Sequence, residues 1–427
     1  MKFHKMIIVS ILAVGGLLQA QQPAAINLDQ LIEIGMANHT GILIAEKALK
    51  SAKAGYLSSY SGLIPNVSTS IDKDLDPSTD TLYDAGVARV PPDLSSRFSV
   101  GQTLFDGGAA WYNRKAGSNS VKKARADYEN ARQTLVLNVK QAYYNYLSSK
   151  KLLGVAEEAL ELGNRQLELV EERYRLQAVS LTDLLKARVS SGERKIQVAN
   201  AKRSLVMAQT SLNLAIGQSP DLPLEVVDDN TELVPLMDKP IAKASMMSNN
   251  PVLISRGYAV DNAHLTAKMA RGGLLPTVSV GYSQSGYGSG SLGNAYDNDQ
   301  SNTGMTISIP LFTGFRNSSA YRRARQAAMI EEDNQLALEL DLLGSLENTF
   351  ADLEALHEIY PLNQEVLQSA EADVELASEK YRLGVISILD LLDAQVSLIS
   401  ARSTLVRTTY DIKTAEAQLA ALIGTIE

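Results

Sequence analysis

The 427-residue sequence has no cysteine, one tryptophan and only four histidines. Without cysteine the chain can form no disulfide, and it lacks the thiol that accepts lipid after a lipoprotein signal. The histidines are scattered, and nothing pairs a nucleophile with a base at a recognisable spacing, so no catalytic site, cofactor or metal is expected. Long apolar runs are missing too. A membrane-spanning helix needs about 20 apolar residues, whereas the run from Met6 to Leu18 has 13 and no later segment approaches that need. It follows Lys2 and Lys5 and ends in Leu18-Gln19-Ala20, so residues 1–20 read as a secretory signal peptide cleaved after Ala20. Net positive charge is absent as well. The formal charge of −8 becomes −10 once Lys2 and Lys5 leave, which disfavours nucleic acid or anionic lipid as the main partner.

What is present is a repeat. YRLQAVSLTDLLKARVSS from Tyr174 and YRLGVISILDLLDAQVSL from Tyr381 share ten of eighteen residues at an offset of 207. The same offset relates Leu104-Phe105 to Leu311-Phe312 and Ile216-Gly217 to Ile423-Gly424. Upstream, LIPNVSTS from Leu63 matches LLPTVSVG from Leu274, and Asn38 matches Asn249, at an offset of 211. The expected organisation is a first repeat over 21–219, a linker over 220–240 and a second repeat over 241–427. Each repeat reads as helix, Pro-marked junction, short strands around a variable loop, and a very long helical stretch.

Leu135, Val139, Ala142, Tyr146, Ser149, Leu153, Ala156 and Leu160 follow steps of four and three, as do Leu342, Leu346, Thr349, Leu353, Leu356 and Tyr360. This coiled-coil pattern suits a seam against neighbouring helices. From Ala109 to Leu176 a continuous helix would reach about 100 Å at 1.5 Å per residue. Gly154 and Pro361 fall at equivalent places, and a bend is expected there. Ser180 and Ser387 are placed to cap returning helices whose first turns carry Asp183 and Asp390, which makes the duplicated peptide a helix-hairpin tip. Val278, Val280 and Tyr282, and Met305, Ile307 and Ile309, alternate with polar residues. Phe98, Val100 and Leu104, and Val67 with Ile71, do so less cleanly. About four strands of membrane-spanning length result. Four cannot close a barrel, so several identical chains would have to pool theirs, unless the pattern marks a soluble hairpin.

These features together resemble the TolC family of outer-membrane efflux channels over nearly the whole mature chain. The signs are the tandem halves, LIPNVS and LLPTVS where helix meets strand, TLFDGG and PLFTGF where strand meets long helix, and the YRLG…ILDLLDA tip. The resemblance implies a mainly α fold with a small β part. As a homotrimer it would share a 12-stranded outer-membrane β-barrel, set in lipid, above a periplasmic α-barrel. The tip of that α-barrel would stay closed until an inner-membrane pump and its periplasmic adaptor engage it. The adaptor-contacting tips would be Arg175, Leu176, Gln177, Ala178, Val179 and Ser180 in the first copy. In the second they would be Arg382, Leu383, Gly384, Val385, Ile386 and Ser387. The sequence departs from the family pattern at Gln177, where a glycine is usual, and at Ile386, where some members carry a basic gate residue.

Other motifs dissolve. GSGSLG at Gly288 fits a dinucleotide pattern without a following helix. DKDLD at Asp72 resembles a calcium loop but has Pro77 where glycine belongs and Tyr83 where the bidentate glutamate belongs. Met246-Met247 alone is no metal-selective cluster. Asp390 and Asp393, three apart, share one helix face; alone they read as a solvated face, whereas the resemblance places them in the narrowest ring of the tunnel. The first copy keeps Asp183 but has Lys186 in place of the second acid. Tyr381 and Asp183 on facing hairpins are the expected closing contacts of this gate. The expected function is a passive exit duct of a tripartite efflux pump, not an enzyme. The alternatives are the exit channel of a type I protein secretion system and, from another class, a periplasmic coiled-coil scaffold outside the membrane.

Overall fold

The computed structural model describes residues 26–75, 82–84, 87–89, 93–228, 235–288 and 298–426. The signal-peptide reading, Asp76 and Pro77 of the calcium-like loop, and the Ser289–Gly293 part of GSGSLG lie outside them.

The first half contains α1 (Leu28–Asn38), α2 (Thr40–Ser58), β1 (Asn66–Lys73), β2 (Leu82–Asp84), β3 (Val87–Arg89), β4 (Leu94–Phe105), α3 (Ala109–Arg175) and α4 (Leu181–Ala215). The second contains α5 (Lys239–Asn249), α6 (Pro251–Gly272), β5 (Thr277–Gly288), β6 (Asn298–Ser308), α7 (Arg316–Arg382) and α8 (Ile388–Leu422). Apart from the β2–β3 hairpin, each element has its counterpart in the other half. That hairpin falls where the sequence shows only a variable loop, because three-residue strands carry no readable alternation.

The helices α3 and α7 are each 67 residues long, and α4 and α8 are each 35. Both long helices run through Gly154 and Pro361 as continuous helix. Proline removes one internal hydrogen bond, and the turns on either side hold the helix together. Near Pro361, Asn363 Nδ2 donates to Thr408 Oγ1 at 2.9 Å, tying α7 to α8. Among the described residues no helix is long and apolar enough to cross a membrane.

α2 and α4 both pack along α3, and α6 and α8 both pack along α7 as well as α3. The shorter helices meet end to end. Gly217, just past α4, takes φ +72° against the Asn38-His39 backbone, and Gly424, just past α8, takes φ +75° against Asn249-Asn250. A Cβ on Gly424 would stand 2.6 Å from the Asn249 carbonyl oxygen, so only glycine allows that approach. Asn250 finishes the joint, its Nδ2 donating to Leu422 O while its Oδ1 accepts from Val252 N.

The largest buried cluster and a second, smaller one lie at this level. Leu31, Val139, Tyr143, Leu212 and Ile216 are buried together in the first half, and Met246, Phe350, Leu353 and Ile412 in the second. Leu135, Val139, Tyr146 and Ser149 of the first seven-residue pattern are buried, as are Leu346, Thr349 and Leu353 of the second. The segment between halves is strapped onto this core. Tyr143 donates its hydroxyl to Val227 O, Tyr146 to Leu224 O and Tyr410 to Asp228 Oδ2.

The main sheet is antiparallel in the order β1-β4-β5-β6. Its register sets Val278 against Ile307, Val280 against Met305, and Val67 against Val100 against Tyr282, all on one face. The other face is small and polar, with Gly101, Gly281 and Gly304 in one row and Ser68, Ser99, Ser283 and Asn302 in another. The alternation expected through Leu104 is corrected by a bulge between Thr103 and Phe105, which sets Phe105 rather than Leu104 opposite Val278.

Between strand and long helix, two successive residues are left-handed: Gly107-Gly108 at +72° and +85°, and Gly314-Phe315 at +57° and +64°. Gly107 also crosses Gly272 of the other half, where an added Cβ would stand 2.6 Å from the Gly272 Cα. We expect Gly107→Ala to destabilise the fold by at least about 2 kcal/mol, from left-handed strain and the backbone clash combined. Thermal unfolding measures this; a midpoint equal to the parent's would refute the crossing.

Candidate functional site

The two hairpin tips lie side by side at the end of the long helices. Each begins with a helix end closed by a left-handed residue. Gly384 (φ +75°) lets its own N donate to Tyr381 O and Val385 N to Lys380 O. In the first copy Gln177 takes the same role at φ +58°, with Gln177 N donating to Tyr174 O and Ala178 N to Arg173 O. The departure from glycine at Gln177 thus leaves the turn intact and places a non-glycine residue in a strained region.

The returning helices start in capping boxes. Asp183 N donates to Ser180 Oγ, while Asp183 Oδ2 accepts from Ser180 N and Oγ. Asp390 and Ser387 repeat the arrangement. Hydrogen bonds from the Ser387 hydroxyl and backbone hold the Asp390 carboxyl below its usual range. Asp390 is therefore part of its own helix start, a role distinct from lining a channel. Asp393, one turn on, is exposed, as is Lys186. Arg175, Leu176, Gln177, Ala178, Ser180, Arg382, Leu383, Gly384, Val385 and Ser387 are exposed, and Val179 and Ile386 half-buried, so the tips present a nearly continuous free surface.

Behind the tips Val170, Leu184 and Ala187 of the first hairpin pack with Tyr381, Ile388, Leu391 and Leu392 of the second. Tyr381 is buried, and burial raises its pKa; the Arg173 guanidinium opposes that rise and the Asp183 carboxylate adds to it. No hydrogen bond joins the Tyr381 hydroxyl to Asp183, whose Oδ2 is held by Ser180. The residue that ties the hairpins together is Arg173. Its guanidinium stands 5.1 Å from the Tyr381 ring and donates to the carbonyls of Tyr381 and Arg382. Further along, buried Arg194 donates to Ala159 O at 2.7 Å and Gln395 Oε1 at 2.6 Å, joining three helices, and desolvation lowers its pKa. Gly163 makes room for it, since a Cβ there would lie 2.6 Å from the Arg194 Cδ. Sequence reading missed both arginines, because a helical arginine ordinarily marks a solvated face.

The histidines do not converge. His39 caps α2 by accepting from Gly41 N, and His264 pairs with Glu332. Met246 is buried in the core while Met247 is exposed, and among the described residues no three metal-ligating groups assemble.

Comparison with known proteins is consistent across sequence and shape. The family model described as "Outer membrane efflux protein" matches residues 31–218 and 245–425, one stretch per half. The outer membrane efflux protein BepC of Brucella suis biovar 1 is 23% identical, over 88% of this chain and 79% of that one. The alkaline protease secretion protein AprF of Pseudomonas aeruginosa is 25% identical, over 78% of this chain and 70% of that one. Among solved structures, the outer membrane protein VceC of Vibrio cholerae superposes with a TM-score of 0.81 at 17% identity, covering 93% of this chain and 96% of that one.

The two tips differ in backbone cost. Gln177→Gly is expected to stabilise the protein by about 1 kcal/mol, because glycine adopts the left-handed region without strain, whereas Gly384→Ala should cost a similar amount. Paired denaturant titrations measure both, and equal and opposite shifts of the midpoint are the expected result.

Proposed function

We infer, for a chain that belongs to the outer membrane efflux protein family, that three copies form one outer-membrane channel acting as the passive exit duct of a tripartite efflux pump. The observation that carries this reading is the sheet. It has an apolar face and a small polar one, and its edge strands, β1 and β6, have no outer neighbour among the described residues. Exposed Val67 and Ile71 on β1, and Met305 and Ile307 on β6, make those edges apolar. Unpaired edge groups cost several kcal/mol each in hydrocarbon, so β1 of one copy must pair with β6 of the next until the sheet closes. Three chains give twelve strands, with the serine and glycine rows facing the lumen and the long helices continuing it as a periplasmic tunnel.

The absence of cysteine makes this testable. Cysteines placed in a panel along β1 and β6 should cross-link copies of the oxidised protein into dimers and trimers and nothing larger, in an outer-membrane fraction. A monomer recovered only from the soluble periplasm would favour the scaffold reading and eliminate the channel.

The tips are proposed as the gate and the adaptor contact. Asp393 and Asp390 from three copies would ring the tunnel mouth, and two carboxylates about 6 Å apart repel by roughly 0.7 kcal/mol in water and about 3 kcal/mol at an effective dielectric of 20. Closure is then held by contacts between hairpins, for which Arg173 on Tyr381 is the candidate within a chain, with Asp183 and Lys186 flanking it. Because Asp390 also caps its helix, Asp393→Asn is the cleaner test. In planar bilayers it should weaken block by a trivalent cation from the periplasmic side at least about tenfold, with oligomer stability unchanged. Undiminished block would return Asp393 to an ordinary solvated face. Exposed residues from Arg175 to Ser180 and from Arg382 to Ser387 would meet the adaptor, and an inner-membrane pump would supply the energy. The likeness to AprF, named for protease secretion, favours protein export as the second reading; pump-dependent loss of resistance to small toxic compounds on deletion separates the two.

A further inference from the structure

The chain is acidic, yet its charge is sharply divided. Residues 47–65, 107–126, 262–276 and 309–330 are the four stretches of helix and junction that adjoin the sheet. They hold three, five, two and four Lys or Arg residues and no Asp or Glu; the one acid at these junctions, Asp106 beside β4, is engaged in capping α3, its Oδ2 accepting from Ala110 N. Lys50 and Lys123 are ion-paired, with Glu46 and Asp127 just beyond these stretches. Lys53, Lys115, Lys268, Arg271, Arg316 and Arg322 are exposed, and none forms an ion pair among the described residues. At 1.5 Å of rise per residue, each stands within about 10 Å of the end of its helix nearest the sheet, close to one Debye length at physiological salt.

Large apolar side chains crowd the junctions themselves. Trp111 is 60% exposed, Phe312 78% and Phe315 71%. Phe315 is doubly unfavourable in water, because it also holds the left-handed conformation that glycine holds at the equivalent Gly108. It meets Phe312 edge to face, with ring centroids 5.7 Å apart, and the two form an exposed aromatic patch of the kind that marks an interaction surface. Apolar strand face, aromatic belt and unpaired cations follow one another, which is the order in which a protein surface passes from hydrocarbon through the interface to charged headgroups.

We propose that this basic collar binds the anionic headgroups of phospholipids in the periplasmic leaflet of the outer membrane, holding the channel at a fixed depth. The proposal rests on the membrane-channel reading above. It also qualifies the inference from net charge: a balance of −8 conceals a surface of the opposite sign where the lipid lies. Trp111 contacts the Arg114 guanidinium, 5.4 Å from its ring, and the collar thus contains the chain's only tryptophan.

That tryptophan reports the test. The full-length protein is reconstituted in vesicles mixing phosphatidylcholine and phosphatidylglycerol, with one or the other lipid brominated, and quenching of Trp111 is compared. Brominated phosphatidylglycerol should compete for the collar about threefold or more better than brominated phosphatidylcholine at low salt, and the preference should vanish near 0.5 M salt. The combined variant Lys268→Gln, Arg271→Gln, Arg316→Gln and Arg322→Gln should lose the preference while remaining a detergent-resistant oligomer. If that variant does not assemble, the salt series on the unaltered protein carries the test alone. Equal quenching by the two lipids at low salt, or none by either in protein that floats with the vesicles, overturns the collar and leaves the channel reading standing. Protein that does not float with the vesicles overturns both. A variant that changes ion selectivity in planar bilayers while keeping its lipid preference would put these cations in the lumen and overturn the proposal.

Discussion

A backbone amide in hydrocarbon must find its hydrogen bond within protein, and a four-stranded sheet leaves two rows that cannot. Much else in this chain is arranged around that constraint. The antiparallel register puts apolar residues on one face and serine and glycine on the other, so that in the proposed trimer each copy would bring one third of a wall oily outside and small and wet inside. Rows such as Gly101, Gly281 and Gly304 have no side chain to resist curvature. The bulge before Phe105 and the paired left-handed residues that end each half of the sheet then redirect the chain into a helix of 67 residues. The sheet therefore sets where the helices begin, and the helices set where the tips end.

Duplication supplied two similar units, and the differences between them carry the individual character of the protein. Phe315 stands where the first half has Gly108, adding exposed aromatic surface at that junction. The left-handed tip residue is glycine in one half and Gln177 in the other. Lys186 stands where the second half has Asp393, so two carboxylates spaced three apart at the start of the returning helix occur only in the second hairpin. Arg173 bridges to Tyr381 and Arg194 to Gln395, both from the first hairpin to the second. Their counterparts at the repeat offset are Lys380 and Ala401. The halves are thus fastened by polar contacts that the repeat itself does not contain.

The long helices, their turning points and the four main strands were legible in the sequence because each depends on a periodicity or a duplicated motif. Capping boxes could be read from Ser180 with Asp183 and Ser387 with Asp390, since spacing three is their signature. The β2–β3 hairpin could not, being too short to alternate. Leu104 was set in line with Phe98 and Val100 because one bulged residue silently inverts the parity that follows it. Gly154 and Pro361 mark places where local propensity is weak, and a helix packed along its length carries through them unbroken. Arg173 and Arg194 were illegible for a different reason: their partners on the other hairpin lie 201 or more residues away, and nothing local distinguishes a buried guanidinium from a solvated one. At the tip, which group holds the Asp183 carboxylate depends on a competition between Ser180 and Tyr381 that spacing alone does not decide.

The end-to-end meeting of α4 with α2 and of α8 with α6 divides the four lines of helix into two kinds. Two are unbroken beams, α3 and α7, running from the sheet to the tips. Two are jointed, each with a glycine knuckle, Gly217 or Gly424, at the same height. In a jointed line, load passes from one segment to the next only through the close backbone contact at its knuckle. In an unbroken beam it is carried by the helix itself, so any torque applied at the tip of α3 or α7 is felt at the membrane end unless the beam flexes.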